Sequence, residues 1–185
     1  MPRRIFTFDD PDRFTTGTVG EPGHRTFFLQ ARSGTRLVSV VVEKEQVVVL
    51  AERMGQLLDE MRRRGVDVPA ELAEALQDTQ PLDEPLVEQF RVGTMLLAWD
   101  GEEHAIVVEA RAQVEDGEDE PDEEDEDDAS EGPDLLRVHI PAGVARAFVD
   151  RAQRVVAAGR PPCPFCGMPL NPEGHICPRR NGHIH

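Results

Sequence analysis

Alternation is the first pattern in the chain. Ile5, Phe6 and Phe8 make a short strand-like start, which Asp9-Asp10-Pro11-Asp12 ends. After a turn between Gly20 and Gly23, residues 25–32 and 36–43 form two strand-like runs. Ser33-Gly34-Thr35 separates them, which suits a tight hairpin. Val38, Val40 and Val42 share one face of the second run, and Val41 makes the other face apolar too. This strand is expected to be covered on both sides.

From Glu45 the period lengthens. Val47, Leu50, Met54, Leu58 and Met61 recur at intervals of three and four, the signature of an amphipathic helix. Glu43 and Glu45 stand at its start and Arg62, Arg63 and Arg64 at its end, as the helix dipole favours. Gly65 follows as the C′ residue. Pro69 opens a shorter helix to Gln77, stopped by Pro81 and Pro85. Residues 87–100 and 104–113 read as a second hairpin across Gly101-Glu102-Glu103. A further strand spans Leu135 to Ile140. Pro141 then starts a helix with the stripe Val144, Phe148, Ala152 and Val155, and Gly159, Pro161 and Pro162 end it.

These elements predict an α+β fold, a mainly antiparallel sheet with two long helices, over residues 1–159. A C-terminal zinc-ribbon-like module is expected over residues 160–185. A strand pair followed by a long helix occurs at 25–64 and again at 104–158, with Gln30-Ala31-Arg32 echoed by Glu109-Ala110-Arg111. The echo suits either a ββα duplication with approximate two-fold symmetry or two unrelated ββα units.

Charge changes the picture at one place only. The formal net charge is −16, from 36 acidic and 20 basic residues. Residues 115–134 hold 14 of the acids and no Lys or Arg, so the rest of the chain carries 22 acids against 20 bases and is nearly neutral. This tract has no periodicity and almost no apolar residue, and is expected to be a disordered, solvated loop. It lacks the alternating aspartates, glycine and distal glutamate of an EF-hand loop. The start of the chain shows no continuous apolar run of the secretory kind, and no apolar run approaches the roughly 20 residues that cross a bilayer. No membrane association and a cytoplasmic location are therefore expected.

The chemistry sits in the last 23 residues. All three cysteines and three of the six histidines lie there: Cys163, Cys166, His175, Cys177, His183 and His185. Cys-Pro-Phe-Cys-Gly is a knuckle sequence, in which a tight turn aims two thiolates at one ion about 2.3 Å from each. An odd number of cysteines at this spacing argues for a metal over a disulfide framework. Two sets compete for the fourth ligand. His175 is placed two residues before Cys177, on the same side of an extended chain, whereas His183 would close a Cys-x₅-His loop. Four ligands with only Glu173 nearby as an acid point to structural Zn2+ rather than a catalytic ion.

Elsewhere the signals are sparse. His24, His104 and His139 are isolated, and no nucleophile elbow, phosphate loop or dinucleotide fingerprint is present. Trp99 ends an apolar strand and reads as core. Arg146, Arg151 and Arg154 on the last helix, with Arg160, Arg179 and Arg180, form a candidate basic patch for phosphates. Helix pairs such as Arg146 with Asp150 are the plainer alternative.

Three stretches together resemble a known family: Phe-Asp-Asp-Pro-Asp-Arg-Phe at the start, Arg-Thr-Phe-Phe-Leu-Gln-Ala-Arg, and the ending from Pro-Phe-Cys-Gly through Gly-His-Ile-Cys-Pro-Arg-Arg-Asn-Gly. The resemblance is to the actinobacterial domain of unknown function 3090, and it runs over essentially the whole chain. It implies a cytosolic actinobacterial protein and brings no established activity. The family's Gly-His-x-Cys pattern favours His175 as the fourth ligand, leaving His183 in reserve. The expectation is a non-enzymatic zinc-binding protein that contacts another macromolecule, a protein before a nucleic acid. An enzyme with a pocket in the main domain, drawing on His24, His104 or Asp100, is the alternative. Nucleic-acid binding through the arginine helix and the ribbon is the second.

Overall fold

The computed structural model describes residues 2–71, 73–114, 131–170 and 174–180. Its centre is a seven-stranded sheet of β1 (Ile5–Asp9), β2 (Arg13–Val19), β3 (Thr26–Ser33), β4 (Arg36–Val42), β5 (Glu88–Asp100), β6 (Ala105–Ala112) and β7 (Leu135–Pro141). Helices α1 (Lys44–Arg63) and α2 (Ala142–Ala157) follow β4 and β7. The strand order is β1-β7-β6-β5-β4-β3-β2. β2-β3-β4 and β5-β6-β7 are antiparallel meanders, while β1 with β7 and β4 with β5 are parallel, so the sheet is mostly antiparallel as expected.

The expected echo is present, but each unit is three strands and a helix. A two-fold axis perpendicular to the sheet would reverse the strands of one unit relative to the other, whereas rotation about an axis along the strands of a curled sheet keeps their sense. Here the β4–β5 seam is parallel, so β2-β3-β4 and β5-β6-β7 run in the same sense and are related by a step along the sheet. The step extends to β1, which pairs with β7 as β5 pairs with β4.

Strand β2 shows no apolar alternation in the sequence because its buried positions include Thr15 and Thr16, with Thr16 Oγ1 donating to the Phe28 carbonyl at 2.8 Å. The helix expected from Pro69 to Gln77 is a single 3-10 turn, Glu74–Leu76. It has no buried residue, and a short helix without an apolar stripe to pack has little to hold it.

β1 and β2 lie at opposite ends of the strand order yet are joined by only Asp10, Pro11 and Asp12. In a flat sheet they would be about 29 Å apart at ~4.8 Å per strand, whereas the four peptide steps from Asp9 to Arg13 reach at most ~14 Å. The sheet must therefore curl. Contacts at the shared corner agree: Arg36 donates to the Thr7 carbonyl at 2.8 Å and lies over the Phe8 ring, and the Gly34 amide donates to Asp12 at 2.6 Å.

One side of the curled sheet presents Phe27, Leu29, Ala31, Val38, Val40 and Val42 from the first unit. The second unit adds Ile106, Val108, Leu136, Val138 and Ile140. Against it pack Leu50, Met54 and Leu58 of α1 and Ala145, Phe148 and Ala152 of α2, with Phe14 stacked on Phe148 at 4.8 Å. α1 begins where Gln46 accepts from the Glu43 amide at 2.8 Å and donates to the Gly93 carbonyl. It ends as the sequence implied. Gly65 takes φ +87°, its amide bonds to Arg62 and that of Val66 to Met61, closing a Schellman motif.

The long connection between α1 and β5 is held by charge. Arg13 spends its five donors on Asp78, Asp83 and the carbonyls of Gln80 and Pro81. Arg151, buried on α2, donates to the carbonyls of Thr16, Asp78 and Gln80. Burial works to raise the Asp78 carboxyl, but hydrogen bonds from Arg13 and Thr15 and the nearby guanidiniums outweigh it and hold the group below its ordinary value.

Removing one partner from so enclosed a pair costs about 3 kcal/mol, so Asp78→Asn should lower the urea midpoint at pH 7 accordingly. Because the folded-state pKa of Asp78 is depressed, its contribution is complete above the unfolded value and is lost as pH falls through the folded value. The gap between the native protein and Asp78→Asn should narrow in urea titrations taken from pH 5 towards 3. Phe148→Ala should cost about 3–5 kcal/mol by the same measurement at neutral pH.

Candidate metal centre

Past α2 the backbone leaves through Gly159, Arg160, Pro161 and Pro162. The prolines cannot donate to a helix and keep the chain extended. It doubles back within eight residues: Pro162 bridges Pro169, the Leu170 amide bonds to the Pro161 carbonyl, and the Cys163 amide bonds to Met168 at 2.7 Å. The Gly167 amide closes the turn onto the Cys163 carbonyl at 2.8 Å, with Gly167 at φ +75°, a conformation strained for any side chain but glycine's hydrogen. This is the turn the Cys-Pro-Phe-Cys-Gly sequence implied.

The knuckle aims amides at sulfur. The Phe165 amide lies 3.4 Å from Cys163 Sγ. Burial pushes the Cys163 thiol up, yet the amides of Cys166 and Phe165 outweigh it and hold the pKa below its ordinary value. At Cys166 the Met168 amide works downward, but burial and the crowding sulfurs of Cys163 and Cys177 prevail and push it up. Three sulfurs so close cannot all ionise unaided, and a cation among them removes the conflict.

The second half of the cluster follows Gly174. Ile176 is 70% exposed, while its neighbours His175 and Cys177 turn the other way, as alternation in an extended chain requires. His175 Nε2 lies 3.2 Å from Cys166 Sγ, and Cys163 Sγ lies 3.9 Å from Cys177 Sγ. A disulfide needs about 2.05 Å, whereas two thiolates on one tetrahedral ion sit ~3.8 Å apart when each bond is about 2.3 Å. The donor atoms of Cys163, Cys166, His175 and Cys177 all lie within 4.8 Å of one another, and Cys163 and Cys177 are buried. The four are close enough to hold a metal ion. His183, the reserve ligand, and Glu173, the nearby acid, lie outside the described residues, as do residues 115–130 of the acidic tract.

The remaining sequence candidates scatter. Arg146 pairs with Asp59 at 2.9 Å instead of with Asp150, which takes Arg154 at 2.9 Å. Arg151 is buried in the Asp78 network, and Arg154 also donates to the Asp78 carbonyl. The arginines of α2 thus serve the fold. A cleft of about 300 Å³ is lined by Asp12, Arg13, Arg32, Asp78, Phe148 and Arg151 among others, and it contains none of His24, His104 and Asp100. Trp99 packs against the core and its ring lies 6.4 Å from that of His104.

One grouping has no local signature in the sequence. Asp100, Glu103 and His139 bring their ligand atoms within 4.8 Å of one another at the β5–β6 turn. Asp100 and His139 share a face across β6, where small Ala105 and Val107 intervene. The amides of Glu103 and Glu102 hold the Asp100 carboxyl below its ordinary range. Only strand pairing joins positions so far apart in sequence.

Among the described residues, no helix is long and apolar enough to cross a membrane. No curated protein and no solved structure matches the chain. The model of one family does match, over residues 6–177, a span that holds both helices, nearly all of the sheet and the four clustered donors. The chain belongs to that family, described as protein of unknown function (DUF3090).

Proposed function

We propose that the protein binds zinc through Cys163, Cys166, His175 and Cys177, that the ion is structural, and that the module it holds docks another protein. The observation that carries this reading is the closed donor set. Three sulfurs and one imidazole nitrogen, mutually within 4.8 Å, fill a tetrahedral ion and leave no position for water or substrate. A thiolate-rich set suits zinc far better than oxygen-seeking calcium or magnesium. Among the described residues no carboxylate joins the cluster to act as a base. Among the described residues the module's only helical piece is the 3-10 turn Pro178–Arg180, so the ion supplies cohesion that packing does not.

Docking is supported by what the module leaves in water. Phe165, Met168 and Ile176 are 46%, 52% and 70% exposed, three large apolar side chains within twelve residues. Such a concentration on a small unit marks a contact surface. A nucleic-acid role has less behind it, because Arg146, Arg151 and Arg154 are committed to Asp59, Asp78 and Asp150.

Elemental analysis of purified full chain should find one zinc per chain. Structural zinc sites contribute about 10–16 kcal/mol in small fingers, so Cys177→Ser should lose stoichiometric metal while the sheet and helices keep their unfolding midpoint. Protein that is metal-free and still captures its partner would overturn the reading. Phe165→Ser combined with Ile176→Ser should leave the zinc content unchanged and weaken capture of the partner from native lysate, about thirty-fold per lost anchor at ~2 kcal/mol each. Undiminished capture would remove the docking surface.

A further inference from the structure

Asp100 closes β5, Glu103 stands in the turn that follows, and His139 lies on β7, two strands away. Their ligand atoms nevertheless lie within 4.8 Å of one another. Each is positioned by a different part of the fold. Asp100 Oδ1 accepts the Glu102 amide at 2.8 Å and the Glu103 amide at 3.1 Å, which fixes the carboxylate and leaves Oδ2 outside those bonds. His139 is held between two strands, opposite Val107 of β6 and Asp9 of β1, and its carbonyl accepts the Asp10 amide at 3.0 Å. Glu103 is exposed and reaches the group from the turn.

The three side chains gather without bonding to one another. An imidazole beside two carboxylates has a ring N–H to give them. Yet among the described residues the His139 ring makes no hydrogen bond, although its Nδ1 is shut off from water. Buried polar atoms seldom go unpartnered in folded proteins. Nor does a basic side chain answer the acids. Among the described residues Asp100, Glu102 and Glu103 pair with no Lys or Arg, while Arg111 and Arg137, on the same face of the sheet, close on Glu109. The donors therefore surround a common point. Atoms about 2.1 Å from one ion stand at most ~4.2 Å apart, so closing this group on a cation takes only small side-chain adjustments.

We propose that Asp100, Glu103 and His139 bind a divalent transition-metal ion. Two carboxylates answer the charge of a dication, and the imidazole nitrogen favours first-row metals over magnesium and calcium, which take oxygen. The site differs in kind from the cysteine cluster and shares no residue with it. It has no sulfur, and three protein donors leave positions for water, so its ion is open to exchange and to an incoming ligand.

Mn2+ is a suitable probe, because it favours oxygen and nitrogen over thiolate and broadens the NMR lines of nuclei close to it. In isotope-labelled full chain, substoichiometric Mn2+ should broaden the amides of Asp100 to Ala105 and of Val138 to Ile140 before those around Cys163 and Cys177. Asp100→Asn, Glu103→Gln and His139→Gln should each raise the Mn2+ concentration needed at least ~10-fold, since even groups that only orient a ligand are worth that much. Asp100→Asn keeps an oxygen for the turn amides and Glu103 is exposed, so these two variants decide the matter even where His139→Gln unsettles the sheet. Glu102→Gln removes a charge from the same turn but no donor, and should leave the midpoint nearly unchanged. Cys177→Ser should retain the response, which separates the fate of this site from that of the thiolate site. Broadening confined to the acidic tract would overturn the proposal, as would equal midpoints for the native chain and Asp100→Asn. So would displacement of Mn2+ by an about ten-fold excess of Mg2+, which has little use for an imidazole.

Discussion

Three residues between the outermost strands of a seven-stranded sheet set the terms for everything else in this protein. Because Asp10, Pro11 and Asp12 reach so little distance, the sheet is obliged to curl until its ends meet at the corner held by Arg36 and Asp12. A sheet bent this far needs cover on both faces. α1 and α2 lie side by side on one, supplying Met54, Leu58 and Phe148. On the other, Gln30 and Ser39 are buried yet polar, and Gln30 exchanges hydrogen bonds with the backbone of Asp83. Burying an amide this way is tolerable only because each of its groups has a partner.

That second cover explains the segment between α1 and β5. It crosses the first unit with almost no regular structure, and its backbone carbonyls would be left wanting. Arg13 and Arg151 meet that demand, answering the carbonyls of Asp78, Gln80 and Pro81 as well as the Asp78 and Asp83 carboxylates. Guanidinium groups do for this strap what a strand ladder would otherwise do. An arginine that looked like a surface charge on α2 is among the most enclosed polar residues of the body.

What could be read from the sequence was what depends on near neighbours. The stripe of α1, its Gly65 terminus, the alternation of Val38 to Val42 and the metal-ligand spacing are set within a few turns of chain, and all four appear in the structure. What was missed is decided at long range. Thr15 and Thr16 read as polar because their partners, Asp78 and the Phe28 carbonyl, come from other elements. The parallel β4–β5 seam and the grouping of Asp100 with His139 arise from strand order, which no local period encodes.

The parallel pairing of β1 with β7 has a consequence for association. Two units stepped in one direction join through unlike edges, so the β7 edge is equivalent to the β4 edge that already accepts a strand. Left open, it would offer the same docking to a strand of another molecule. β1 occupies that edge with five residues of the chain itself. It covers that edge from within, so a strand of another molecule finds no unpaired ladder on β7.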